Sequence, residues 1–419
     1  MATNSFGSYG GPASSQIDAP KRLLMGPWRH TMPHRGRESS IGFRKKALAW
    51  FDTFLKDEQR GVAEEPPVQV WTERNGGGKV EAGVWRGLDS WPDAADGSDT
   101  VSFALTDDGL CPPDSYETGA FETSYEADFT VGLDSIQPAS TETPVSDTNQ
   151  DDTRSLTVES EPLERPLEFT GTGTASIRIR TTIDDPTLSV RVVDVAPDGQ
   201  ATMVTHGTKR VRSTSLSELG GPVGSDEIEV KIPLKPKSHC FEAGHCVRIA
   251  VSNAFFPEFM PTGTSGTTTV LSSPEHASVV ELPGEFKEHT GFEDEVPQPS
   301  PAESLPAAPE RVVTSSSTWE RSREATEDTA RVRTDSSLRL EMPHVDMTRE
   351  TEYEVSVAAD DPSSVVAEGE FRWTLEYPTE VVTVVATNQF DRDFAEATTK
   401  VVRGGTTVFE ETWSRPVNR

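Results

Sequence analysis

The sequence predicts a mainly β protein: a β-sandwich preceded by a short α/β-style segment and followed by a second, small β-rich domain. Three observations carry that prediction. Between residues 66 and 283, short alternating or apolar runs are separated by turn residues at close intervals, with no helical pattern between them. That is the signature of an all-β sandwich. Only residues 1–65 set a buried-strand run beside an amphipathic helix. A Pro-rich acidic linker, 284–310, then leads to a further set of strand patterns filling 311–419. The 419 residues exceed the roughly 250–300 at which a single core stops growing, so more than one domain is expected.

Residues 1–20 are polar and Gly-rich. The run Lys21-Arg22-Leu23-Leu24-Met25-Gly26-Pro27-Trp28 ends in Gly-Pro and reads as a strand covered on both faces of a parallel sheet. From Ser39 to Arg60, Phe43, Ala47, Trp50, Phe51, Phe54 and Leu55 recur at three- and four-residue steps. They predict a helix with one apolar stripe, stopped at Gly61. Strands are expected at Val68–Trp71, around Trp85-Arg86-Gly87 and at Val101–Leu105. The stretch Gly109 to Thr153, rich in Asp, Thr, Pro and Ser, reads as an irregular excursion. Strands then resume at Leu156–Val158, Leu167–Phe169, Ala175–Arg180, Leu188–Val195, Ala201–Gly207, Ile228–Ile232, Val247–Val251 and Val279–Leu282. Beyond the linker they are expected at Thr329–Arg333, Ser337–Glu341, Thr351–Val357, Gly369–Tyr377, Glu380–Thr387, Phe394–Arg403 and Thr406–Trp413. The alternation from Glu370 to Tyr377 predicts one solvated face there.

Charge excludes some functions. Asp and Glu number 69 against 39 Lys and Arg, a net charge of −30. Such a surface repels nucleic acid and anionic membranes, so neither is expected as a partner. The bases are 28 Arg and 11 Lys. Acid excess with little Lys is the composition of proteins that work in concentrated salt, where repulsion is screened over a few ångströms. An ordinary acidic protein that folds in dilute buffer is the other reading. Hydrophobic residues make up only 34%, but eight Trp and eighteen Phe suffice to nucleate cores. Three cysteines, Cys111, Cys240 and Cys246, do not form a disulfide framework and suit a reducing compartment. No run approaches the roughly 20 apolar residues of a membrane span, and the first 20 residues lack a secretory pattern, so a cytoplasmic location is expected.

Several groups of residues invite a chemical reading. His30 follows the buried run at Gly26-Pro27-Trp28, where the C-terminal edge of an α/β sheet presents catalytic groups. A lone His at a strand end is more often structural. His239, Cys240, His245 and Cys246 lie within eight residues and look like a zinc set. In an extended strand, however, the two Cys take one face and the two His the other, so strand, turn at Ala243-Gly244 and strand is the favoured reading. The acids Asp151-Asp152, Asp184-Asp185 and Asp194 read as solvated surface, since no calcium-loop spacing is present. No metal or cofactor is expected. There is no Gly-x-Ser-x-Gly elbow, P-loop or dinucleotide fingerprint.

Taken together, certain stretches resemble a known family. They are Lys21 to His30, Trp50-Phe51-Asp52-Thr53-Phe54-Leu55-Lys56, Pro66-Pro67-Val68, and Trp85-Arg86 to Trp91-Pro92. Asp152-Thr153-Arg154, Pro162-Leu163, Asp194 to Gly199, Phe241 to His245 with Val247-Arg248-Ile249, Phe255-Phe256-Pro257 and Val279 to Pro283 complete the set. From about residue 20 to 283 the chain resembles the C-terminal part of cocaine-esterase-like and X-Pro dipeptidyl-peptidase (S15) serine hydrolases, and 311–419 resembles the extra β region of longer members.

The resemblance implies a remnant of an α/β-hydrolase domain (its last strand and helix), then a galactose-binding-like jelly roll. It implies that His30 is the triad base. The family's acid, in a Gly-Trp-x-Asp motif, and its nucleophilic Ser both belong upstream of such a His; neither motif occurs in these residues. Without them the chain is expected to be inactive alone, with a separate or upstream-encoded α/β-hydrolase half as partner. A non-catalytic β-sandwich used for binding or dimer contacts is the alternative, and a homo-oligomer is a further partner expectation. Residues 1–60 are expected to be the least stable part, because strand and helix would lack their parent sheet.

Overall fold

The computed structural model describes residues 20–28, 32–34, 41–74, 83–93, 99–135, 147–211, 227–288 and 311–417. The chain is mainly β. The strands are β1 (Leu23–Met25), β2 (Val68–Arg74), β3 (Gly83–Leu88), β4 (Thr100–Thr106), β5 (Gly109–Cys111), β6 (Phe121–Glu126), β7 (Leu156–Glu159) and β8 (Leu167–Gly171). They continue as β9 (Thr174–Thr181), β10 (Thr187–Val195), β11 (Ala201–Arg210), β12 (Ile228–Pro233), β13 (Lys237–Phe241), β14 (Cys246–Ser252), β15 (Thr267–Ser272) and β16 (Val279–Phe286). The helices are α1 (Phe43–Lys56) and the single turn α2 (Asn149–Asp152).

These strands form two sheets. The larger runs β1-β2-β13-β8-β16-β9-β15-β6, with β3 beside β2, β12 beside β9, and β4 joining β16 to β5. The smaller runs β11-β10-β14-β7. Their inner faces meet in one core. Leu188, Val190, Val192, Ile249 and Val251 come from the small sheet, and Phe169, Ile177, Ile179, Val230, Val280 and Leu282 from the large one. The alternation of β8, β9 and β12 supplies the inward residues, as a half-buried strand requires. The central strand β10 is buried along its whole length, with Leu188, Val190 and Val192 alternating with Thr187, Ser189 and Arg191. This is a β-sandwich.

A third sheet stands apart from these two. It is a seven-stranded meander, β17 (Arg311–Glu324), β18 (Thr329–Met342), β19 (Val345–Ala358), β20 (Val366–Glu376), β21 (Val381–Asp391), β22 (Phe394–Arg403) and β23 (Thr406–Pro416), in sequence order. One face of it meets the sandwich through Val332, Val355, Val357 and Ala367, against Phe129, Val131, Leu133 and Phe256. Arg321 also donates to the carbonyls of Leu133 and Asp134 at 3.1 Å each. Gly132 lies in that loop at φ 109°, and a Cβ there would stand 2.6 Å from the Phe256 carbonyl oxygen. Farther out the same face is open, with Phe371 and Trp373 nearly half exposed. On the opposite face Glu368 is exposed, whereas Glu370, Arg372 and Thr374 are half-buried.

Several expectations change. The stretch 109–153 is not irregular throughout: it holds β5, β6 and α2. Polar β6 forms because β15 gives it a full antiparallel register from Phe121–Ser272 to Glu126–Thr267. The two strands expected at Thr329–Arg333 and Ser337–Glu341 are one strand, β18. Its polar middle, Thr334 to Ser337, continues as strand because β17 and β19 pair with it on both sides. Strand β1 is not left bare either: it pairs in parallel with β2, Leu23 beside Val68 and Met25 beside Val70. Among the described residues, no helix is long and apolar enough to cross a membrane.

Candidate functional site

His30 lies outside the described residues, and so does residue 29 before it. The structure places what leads to them. Trp28 is buried against Trp85, ring centroids 6.0 Å apart, and Trp85 meets Trp71 edge-on at 5.6 Å. Ile41 completes this small core. Arg22 anchors the start of the strand, donating from Nη1 to the Glu65 carboxylate at 2.8 Å and from Nη2 to the Glu65 carbonyl at 2.8 Å. Lys46 of α1 reaches the same carboxylate at 2.8 Å. The end of β1 is thus held by aromatic packing and by one shared acid. The acid and nucleophile of a triad have no counterpart brought to this strand end among the described residues.

The helix behaves unlike the predicted stripe. Its buried residue is Asp52, bridged to Lys56 at 2.6 Å and Arg60 at 3.2 Å. Leu48, Phe51 and Leu55 are more than half exposed, and Phe54 is also exposed. Spacings of three and four residues put Leu48, Phe51 and Leu55 on one face. Of the expected stripe, Phe43, Ala47 and Trp50 are half-buried while Phe51, Phe54 and Leu55 are exposed.

The His/Cys segment resolves into strand, turn and strand. β13 ends at Phe241, Gly244 turns at φ 85°, and β14 starts at Cys246. His239 on β13 and His245 in the turn converge on one carboxylate, that of Asp194 on β10. His239 Nε2 is 2.8 Å from Oδ2, and His245 Nδ1 is 2.7 Å from Oδ1. All three side chains are buried. Burial alone would raise the Asp194 pKa, but the hydrogen bonds from both imidazoles outweigh it and hold the carboxyl below its usual range. His245 is raised, first by its hydrogen bond to Asp194 and against its own burial. Cys240 takes no part: burial drives its thiol up to about 12. Among the described residues, no three His, Cys, Asp or Glu side chains are grouped to hold a metal ion.

Asp194 therefore corrects the reading of the acids as solvated surface. It sits in a strand buried on both faces, where a carboxylate survives only when paired. Asp151 and Asp152 are buried too. Asp152 takes Arg248 at 2.9 Å and Arg191 at 3.1 Å, and Asp151 accepts from the backbone and hydroxyl of Ser135, both at 2.7 Å. Arg191, with no exposed surface, also donates to the hydroxyls of Ser135 (2.6 Å) and Ser155 (2.7 Å). Arg248 binds Glu159 at 2.8 Å. Asp185 is paired with Arg210.

Sequence reasoning missed a third group. The His206 ring packs on Phe255, centroids 4.2 Å apart, and lies 3.4 Å from Glu258, which also takes Lys235. Burial lowers the His206 pKa. Burial would raise Glu258, yet its bonds to His206 and Lys235 bring it down to about 2. No spacing signal links residues 206, 235 and 258; Lys235 and Glu258 reach His206 from loops.

Comparison with known proteins gives a consistent result. Residues 60–286, more than half of the chain, match the X-Pro dipeptidyl-peptidase C-terminal non-catalytic domain. A protein of Mycobacterium bovis named as a serine esterase is 28% identical over 292 residues, covering 62% of this chain and 45% of that protein. The cocaine esterase of a Rhodococcus strain is 24% identical over 308 residues, covering 64% of this chain and 52% of the esterase. The chain spans about half the length of these curated relatives. A crystal structure of an aminopeptidase from a marine-sediment Thaumarchaeota archaeon overlays with a TM-score of 0.50 at 20% identity, covering 67% of this chain and 52% of that one. It is a likeness of fold.

Proposed function

Because the chain belongs to the X-Pro dipeptidyl-peptidase C-terminal domain family, we propose that it is the C-terminal portion of a cocaine-esterase-like serine hydrolase, cleaving esters or X-Pro peptides only when joined to an α/β-hydrolase half. In this reading residues 1–65 carry that half's last strand and helix with His30 as base. Residues 66–283 are a jelly roll, 284–310 a linker and 311–419 an added β domain.

The observation that supports it most is the β1–α1 unit. A strand paired, among the described residues, in parallel on one side only is followed by a helix whose Leu48, Phe51 and Leu55 lie uncovered. Parallel strands are normally covered on both faces, so this unit has the form of a margin on which a larger α/β body would pack. The buried networks around Asp194 and around Asp151 and Asp152 join the strands of the sandwich. They read as structure, not chemistry.

The test is direct. The purified chain is incubated with a fluorophosphonate serine probe and with an activated aryl ester. Neither labelling nor turnover is expected. Co-expression with the N-terminal half of the mycobacterial relative should restore turnover, and His30→Ala should abolish it. Labelling of the chain alone at an internal serine would overturn the proposal, as would a complex whose turnover ignores His30→Ala.

A further inference from the structure

The seven-stranded sheet lies outside the matched region 60–286, and its two edges are unlike. At one edge, β17 is tied down. Arg321 reaches the Leu133 and Asp134 carbonyls, Arg323 bonds Thr130, and the register slips between Val312 and Thr314. At the other edge, β23 pairs only with β22 among the described residues, and every one of its eleven residues is exposed. Val417 N–H donates to the Asp393 carbonyl across that pair, at 3.0 Å. By antiparallel alternation, Glu410, Thr412 and Ser414 then point their backbone groups outward. Pro416 is in phase with them and guards the end of the strand, but the middle is unguarded.

The side chains of that middle are self-complementary. Phe409, Glu411, Trp413 and Arg415 lie on one face, alternating along the strand. Phe409 and Trp413 have ring centroids 6.5 Å apart and are each more than 40% exposed. Glu411 and Arg415 form no ion pair with another described residue.

We propose that β23 is a homodimer interface, pairing antiparallel with the same strand of a second copy about a two-fold axis through Trp413. In this register Thr412 and Ser414 exchange backbone hydrogen bonds with Ser414 and Thr412 of the second copy, and Glu410 meets Pro416. That gives about six inter-strand bonds. Trp413 opposes its own copy as a closely spaced pair, and Glu411 opposes Arg415 twice. A register centred on Glu411 would instead set two carboxylates face to face. Pairing joins the two seven-stranded sheets into one and places their apolar faces on the same side. The interface is small, so the dimer is in the micromolar range.

The test is sedimentation velocity of the full chain from about 1 to 100 µM in about 0.5 M salt, where distant charges are screened but directly opposed side chains still interact. A monomer–dimer equilibrium is expected. Glu411→Arg and Arg415→Glu should each raise the Kd about tenfold, by opposing like charges. The double variant E411R/R415E should return it to within about threefold. Circular dichroism checks that each variant keeps its β content. A monomer at every concentration overturns the proposal. So does a dimer indifferent to the single reversals, a double variant that folds but stays monomeric, or growth past the dimer, which would mean pairing of β23 with another edge.

Discussion

Asp194 is the residue on which the most structure converges. It joins β10 of the small sheet to β13 of the large one through His239, and to the following turn through His245. Asp194→Asn keeps the shape but removes the charge, and loss of one member of a buried pair costs about 3–5 kcal/mol. Its pH dependence follows from the two shifts. Asp194 is held below its unfolded value of about 3.9, so its contribution is present above that and is lost as pH falls through the folded pKa. His245 is held above its unfolded value of about 6.5, so its contribution is complete below that and is lost as pH rises through the folded pKa. The stability gap between the native protein and D194N, from urea unfolding, should be widest between about pH 4 and 6.5 and should narrow at higher pH. A gap that widens above pH 7 would contradict this linkage. The sequence reading missed this burial: β10 alternates Thr187, Ser189 and Arg191 with Leu188, Val190 and Val192, and Asp194 falls in phase with the apolar set. What spacing could not reveal was the partner, because His239 and His245 lie far along the chain.

At the scale of elements, strands with strong alternation or β-branched runs were legible: β9, β10, β12 and β14 lie where the pattern put them. Those that hid were Ser- and Thr-rich. β17 carries Thr314-Ser315-Ser316-Ser317-Thr318, a composition of loops, and becomes a strand through pairing with β18. Its form is set by its neighbour rather than its own pattern. The helix was legible in position but not in orientation: α1 buries Asp52 and presents Leu48, Phe51 and Leu55 outward. With little apolar area covered, α1 should open easily. Native-state amide exchange should give α1 opening free energies within about 2 kcal/mol of zero, while β10 exchanges only through global unfolding. Equal protection of the two would show that α1 is held by something stronger than the contacts seen.

The molecule as a whole carries a net charge of −30, and its buried acids are already matched to Arg191, Arg248 and the two histidines. The remaining excess lies outward and repels itself. Salt should therefore stabilise the fold: the thermal midpoint should rise by about 5–10 °C between 0.1 and 2 M KCl. A midpoint that does not move would place this chain among acidic proteins adapted to dilute buffer. Within the stretches that carried the family resemblance, Asp152, Asp194, His245 and Arg248 are all members of buried ion pairs, so in these places the sequence displayed architecture.

The loop bearing Gly132 ties these scales together. Its backbone lies directly against Phe255 and Phe256 on one side, while the carbonyls of the next two residues, Leu133 and Asp134, hold Arg321 of the outer sheet on the other. A single hydrogen atom thus sets the thickness of the layer between the two bodies. Gly132→Ala should loosen a sheet that residue 132 does not belong to: proteolysis near residue 311 should speed up while the sandwich melts as before. Evolution would then be free to decorate the rim of the meander, but not this one spacer beneath it.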